Sequence, residues 1–272
     1  MLRKLMKHEF RATGRIMLPV FLLVLISAVG ANLSTKFFLE ADSKTLNIFG
    51  FLFMTAFALA IAAVCFVSVI LMIQRFYKNL MQDEGYVMMT LPVSVHQHIM
   101  SKLLVSMVWF ILTVIVVILG FIILAYDVGL IKDILSGVRE LMHEAYFSEY
   151  LPHAAAYIVE FALVAFFSAA ASCLQFYLAI AIGHSFSSHK LIMSVAAYFA
   201  INLILEAIGL VLLSSIGNST QLIENLNDFL PTLSNVAAAH VVLIGLSLMS
   251  LVYAAIFYFP TAWFMKHKLN LE

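Results

Sequence analysis

Two carboxylates stand where a carboxylate is expensive. Glu160 and Glu206 lie inside long apolar runs, about six and about ten residues from one end of the helix each run predicts, or ~9 and ~15 Å at the helical rise. An ionised carboxylate at that depth costs about 2.5–3.5 kcal/mol on insertion scales. No Lys or Arg stands at the same depth to pair with either. Both are therefore expected to face the protein interior or a wet cavity, where burial favours the protonated form of at least one. Asn202 lies four residues before Glu206, on the same helical face, and can share its hydrogen bonds. Two readings stay open. Glu160, Asn202 and Glu206 form a polar patch on a substrate pathway, suited to cationic amphiphiles, or they are hydrogen-bonded glue between helices.

Other chemistry is excluded by spacing. No GxxxxGK[ST] occurs, and no Gly is followed by Lys, so the chain has no P-loop to cradle ATP. His143-Glu144 has Phe147 where a zinc protease would place its second His. His96 and His98 are two apart and point to opposite sides of a helix. His184 and His189 are five apart with no third ligand nearby, so no metal site is expected. The run from Gly183 to Ser187 is close to a nucleophile elbow but ends in Ser where Gly is needed. Cys65 and Cys173 lie in apolar runs, out of any ligand spacing, and are expected to be packing residues. Asn218-Ser219-Thr220 fits a glycosylation sequon and equally fits a helix cap.

The elements that must carry these residues are membrane helices. The chain is 64% hydrophobic and only 11% charged, with a mean hydropathy of +1.04. Soluble domains carry about 25% charge. Six runs are long enough to cross a ~30 Å hydrocarbon layer: 16–33, 48–73, 103–126, 154–182, 191–216 and 236–265. The first is longer than a secretory h-region, so it is expected to stay as a span. The expected fold is an all-α integral membrane domain over 1–272, with six transmembrane helices.

Lys and Arg set the orientation. Eleven fall on one side: Arg3, Lys4, Lys7, Arg11, Arg15, Arg75, Lys78, Lys102, Lys190, Lys266 and Lys268. Four fall on the other: Lys36, Lys44, Lys132 and Arg139. The first side is cytoplasmic, with both termini. The outer loops are acidic, and the zero net charge gives no reason to expect a nucleic-acid partner. Residues 1–13 carry Leu2, Leu5, Met6 and Phe10 at helical spacing among basic residues, which fits an interfacial amphipathic helix on membrane lipids and equally a plain positive-inside flank of the first span. Apolar stripes over 131–142 and 222–230 predict short outer helices. In span 4, Ala162, Ala165, Ala169 and Ser172 make a small-residue stripe that fits packing within the chain or between chains.

The cytoplasmic stretch 75–102 is the most organised polar segment. Arg75–Met81 continues span 2 as a helix. Gly85 allows a turn after Asp83-Glu84, and Pro92 forbids helix continuity. Ser94 to Gln97 is a capping box that starts the next helix. Between the breaks, Tyr86, Met88, Met89 and Leu91 form an apolar knob that either docks a partner or folds back on the bundle's own rim.

Glu84-Gly85, a short apolar piece, Thr90-Leu91-Pro92-Val93-Ser94 and then Ser101-Lys102-Leu103 resemble the first cytoplasmic loop of type-2 ATP-binding-cassette (ABC) exporter permeases, in particular the small stand-alone permeases of Gram-positive bacteria. The likeness departs at Tyr86, where Thr is usual, at Met88 in place of a second acid, and at Ser101 in place of Gly. It implies a plasma-membrane permease subunit, multi-pass and bacterial, without an ATP site of its own. ATP and Mg would be bound by a separate ABC ATPase docked on a coupling loop formed by Asp83, Glu84, Gly85, Tyr86, Met88, Leu91, Pro92 and Ser94. A second permease chain, identical or paralogous, would complete the transporter. The competing classes are a secondary transporter, which broken helices and acids or His in mid-membrane would mark, and a non-transporting membrane scaffold.

Overall fold

In the computed structural model the described residues are 2–37, 44–81, 85, 93–126, 132–133, 135–137, 139–140, 149–186, 188–218 and 234–268. Among them there is no strand. Six long helices follow in order: α1 Leu2–Phe37, α2 Lys44–Met81, α3 Val95–Leu124, α4 Ala154–Gly183, α5 Lys190–Asn218 and α6 Asn235–His267. A single 3-10 turn, Leu151–His153, leads into α4. All six are long and apolar enough to cross a membrane.

The first two overrun the hydrocarbon layer. α1 has 36 residues and α2 has 38, or about 54 and 57 Å at 1.5 Å per residue. α1 is one unbroken helix, so residues 2–13 are not a separate element from the span that follows. Arg75–Met81 does continue α2, as the sequence predicts. α3 starts at Val95, directly after Ser94, where the capping box places it. Lys132, Asp133, Leu135 to Gly137, Arg139 and Glu140 are helical; the stripe at 222–230 lies outside the described residues.

The chain divides into two compact units. The first holds Met1–Arg75 and His96–His143, the second Phe76–Val95 and Glu144–Glu272. In the first, α1 buries Glu9, Thr13, Met17, Phe21, Val24, Ala28 and Ala31. That three-to-four-residue spacing is one continuous helical stripe. It forms a core with Phe57, Ala60, Val64 and Leu71 of α2 and Val105 and Trp109 of α3. Gly120 of α3 lets the Phe57 ring come close: a Cβ there would stand 3.2 Å from Phe57 Cε2. Side-chain to backbone bonds tie helix ends together. Ser34 Oγ donates to the Gly50 carbonyl at 2.8 Å, and Asn32 Nδ2 to the Leu124 carbonyl at 2.9 Å.

In the second unit α4 packs against both α5 and α6. Its buried residues concentrate in the last half, from Ala170 to Gly183. The turn into α5 is tight. His189 takes φ 55°, a left-handed conformation that costs His less than most side chains. Gly183 touches the α5 backbone so closely that a Cβ would overlap Ser194. The end of α2 joins this unit: the Phe76 ring stacks on Tyr177 with centroids 4.0 Å apart. α6 is capped by Ser234, whose Oγ accepts from the Ala237 N–H at 3.2 Å.

Candidate functional site

The second unit holds two polar clusters at membrane depth. The first is a cavity of about 220 Å³ formed by α4, α5 and α6. Ser168, Ser172 and Gln175 come from α4, Ser250 and Tyr253 from α6, over a floor of Ala171, Leu205 and Phe257. These positions fall in the middle or second half of their helices, where a spanning helix is deepest or beyond. Helix geometry explains the convergence. Ser168, Ser172 and Gln175 are four and three apart and share one face of α4, as Ser250, Tyr253 and Phe257 do on α6.

Most of the cavity's polar atoms hold one another. Ser168 Oγ and Ser250 Oγ lie 3.0 Å apart. Ser172 Oγ donates to the Ser168 carbonyl at 2.9 Å. Gln175 Nε2 donates to Asn202 Oδ1 at 3.1 Å, and Asn202 Nδ2 donates to the Tyr198 carbonyl at 2.8 Å. Asn202 is thus engaged with Gln175, a partner the sequence reading did not single out.

The second cluster lies near the first turns of α4 and α6. His240 Nδ1 donates to Glu160, 2.8 Å from Oε1 and 2.9 Å from Oε2. The two side chains are 21% and 16% exposed. The Tyr157 ring stacks on the His240 imidazole with centroids 4.4 Å apart, and its hydroxyl donates to the Val236 carbonyl at 3.1 Å. His153 meets the same imidazole edge-on at 5.4 Å. A half-buried carboxylate thus finds its hydrogen-bond donor in a His, not in a Lys or Arg. The visible signal was His240 inside an apolar run, at the depth of Glu160.

Glu206 belongs to neither cluster. It is exposed on α5, a helix whose apolar window has no buried residue. The small-residue stripe of α4 is also largely uncovered: Ala162, Ala165 and Ser172 are exposed. Cys173 is buried and Cys65 exposed. Among the described residues no group of three His, Cys, Asp or Glu could hold a metal ion.

The first unit has polar chemistry of another kind. Lys102 Nζ donates to Glu9 Oε1 at 2.5 Å, with side chains only 2% and 7% exposed. Beside them Trp109 Nε1 donates to Thr13 Oγ1 at 2.7 Å, and Ser68 and Thr113 share a hydrogen bond of 3.0 Å. The space among Glu9, Arg75, Lys102 and Ser106 is about 20 Å³, room for about one water. Nothing local to Glu9 in the sequence marks it for this pairing, since Lys102 is 93 positions away.

Of the coupling-loop residues, Gly85 is buried and helical and Ser94 is exposed just before α3. Asp83, Glu84, Tyr86, Met88, Leu91 and Pro92 lie outside the described residues. Comparison with family models, with curated proteins and with solved structures found no match for this chain.

Proposed function

We propose that this chain is the membrane-spanning permease of an ATP-driven exporter, coupled to a separate ATPase through the stretch between α2 and α3. The observation that carries the reading is the residue pattern Glu84-Gly85 … Thr90-Leu91-Pro92-Val93-Ser94 in the segment that separates two long helices. α2 supports it by running on to Met81, well past what the bilayer needs, so that it presents the segment beyond the lipid. The bias of Lys and Arg puts that end in the cytoplasm, with both chain termini. The middle of the second unit supplies a polar cavity for a substrate.

A second permease chain fits the uncovered faces. Glu206 on a lipid-facing α5 would be costly; against another chain or a shared aqueous path it is not. The exposed Ala162 and Ala165 would let that chain approach closely. One observation favours a different class. The Glu160–His240 pair is a titratable pair inside the membrane, as a proton-driven carrier needs.

Co-purification decides between them. The chain is expressed with a candidate P-loop ATPase from its own genome, as wild type and as Glu84→Lys and Leu91→Asp. The wild type is expected to retain the ATPase. Both variants are expected to lose it while keeping the same yield of folded membrane protein, because an unpaired charge in a dry contact costs several kcal/mol. Equal retention by all three sinks the coupling-loop assignment. Transport that persists without any ATPase and collapses with the proton gradient selects the carrier.

A further inference from the structure

None of the described residues lining the cavity of the second unit carries a formal charge. Its polar lining is Ser168, Ser172, Gln175, Ser250 and Tyr253, hydroxyls and one amide. The Glu160 carboxylate lies eight residues before Ser168 on α4, about 12 Å along the axis, and is taken by His240. Glu206 follows Leu205 but stands about 100° further round α5, exposed and outside the lining.

What the cavity offers a guest can be counted by atom. Tyr253 Oη makes no hydrogen bond with any described residue, although a half-buried phenol at membrane depth ordinarily finds a partner. Gln175 spends one amide N–H on Asn202, while its Oε1 accepts from no described residue. In the Ser168–Ser250 pair one hydroxyl donates to the other, which leaves the second O–H to be placed. The cavity thus presents two O–H donors and an amide oxygen, above an apolar floor of Ala171, Leu205 and Phe257. A volume of about 220 Å³ exceeds the ~150 Å³ that accommodates a benzene-sized guest.

The geometry points to a binding site for the uncharged hydrogen-bonding head of an amphiphile, a carboxamide or a hydroxyl on an apolar body. Among the described lining residues a cation finds no counter-ion, and an anion no Lys or Arg. This rests on the exporter reading and narrows its substrate class: the acids that suggested cationic cargo are not in the cavity.

The test is direct binding, without the ATPase. The full chain in phosphatidylcholine nanodiscs is titrated with three nitrobenzoxadiazole-tagged ten-carbon amphiphiles that differ only in the head: carboxamide, trimethylammonium and sulfonate. The carboxamide is expected to bind saturably, and at least ten-fold more tightly than either charged probe. Tyr253→Phe should weaken it about five-fold, the usual weight of one neutral hydrogen bond. Ser172→Phe, at an exposed position that leaves the fold intact, should fill the cavity and abolish saturable binding. A trimethylammonium probe that binds best, or carboxamide binding that survives Ser172→Phe, overturns the assignment. Carboxamide binding in a chain that never retains an ATPase leaves the site standing and removes the exporter.

Discussion

The two units differ in what surrounds their buried polar groups. In the first, Glu9 meets Lys102, Trp109 meets Thr13 and Ser68 meets Thr113, side chain to side chain, around a space that holds about one water. In the second, Ser168, Ser172, Gln175, Ser250 and Tyr253 surround a cavity of about 220 Å³, and Tyr253 Oη bonds no described residue. Both arrangements are polar and both lie in long apolar helices. The difference lies in where the hydrogen bonds end. Closed pairs specify how helices register against one another. An open cavity with spare donors keeps polar groups ready for something that comes and goes.

Cutting the closed pair should do the most damage. Lys102→Met leaves the Glu9 carboxylate buried without its ammonium, a loss of about 3–5 kcal/mol for broken buried pairs. It should show as a large fall in the thermal midpoint in detergent. Adding Glu9→Gln removes the charge that Lys102 had balanced and should recover most of the loss, because a buried ion pair adds little net stability over neutral packing. If Lys102→Met melts with the wild type, the pair is wet and the contrast between the units fails.

Gly183→Ala tests the packing of the second unit away from its cavity. The added methyl would overlap Ser194, including its backbone, where α4 meets α5. Overpacking of a tight site costs about 1–3 kcal/mol. The expected outcome is a moderate fall in melting temperature together with weaker carboxamide binding, since α5 also supplies Leu205 to the cavity floor. Lower stability with unchanged binding would mean that the cavity is set by α4 and α6 alone.

The pattern of what sequence alone could reveal follows the same division. Spans are legible because twenty consecutive apolar residues have one physical solution in a membrane: five of the six expected runs lie within their helices, and 103–126 runs two residues past the end of α3 at Leu124. Helix ends are less so. Nothing about residues 2–13 as a sequence distinguishes an interfacial helix from the first turns of α1, because the same amphipathic spacing suits both. The continuation to Met81 and the start at Val95 were readable, since Ser94 and Pro92 act locally. Pairs were not. Glu9 and Lys102 are 93 positions apart and Glu160 and His240 are 80. No local rule joins residues on separate helices. The cavity was invisible for a related reason: isolated Ser, Gln and Tyr in apolar helices are common, and only the packing of α4, α5 and α6 brings these five together.

His184 gives the smallest effect and sharpens the contrast from outside the lipid. It follows the last residue of α4, is fully buried, and lies edge-on to Tyr77 with centroids 5.2 Å apart. Its Nδ1 donates to the Ile180 carbonyl at 3.0 Å. Burial pushes its pKa below the usual His value, the Ile180 carbonyl pulls it partly back, and the Lys190 charge pushes it lower. A His held low in the folded state is neutral there while the unfolded chain is already taking up protons. The stability it contributes is therefore complete above the unfolded pKa of about 6.5, and it is lost as pH falls from there through the lower folded value. His184→Asn keeps a donor near Ile180 and removes the titration. Between pH 7.5 and 5.5 the wild type should lose more thermal stability than the variant, by a margin smaller than the effects of Lys102→Met and Gly183→Ala. Parallel loss in the two proteins would mean that His184 charges as readily folded as unfolded. The end of α4 would then be wet, unlike the sealed Glu9–Lys102 pair.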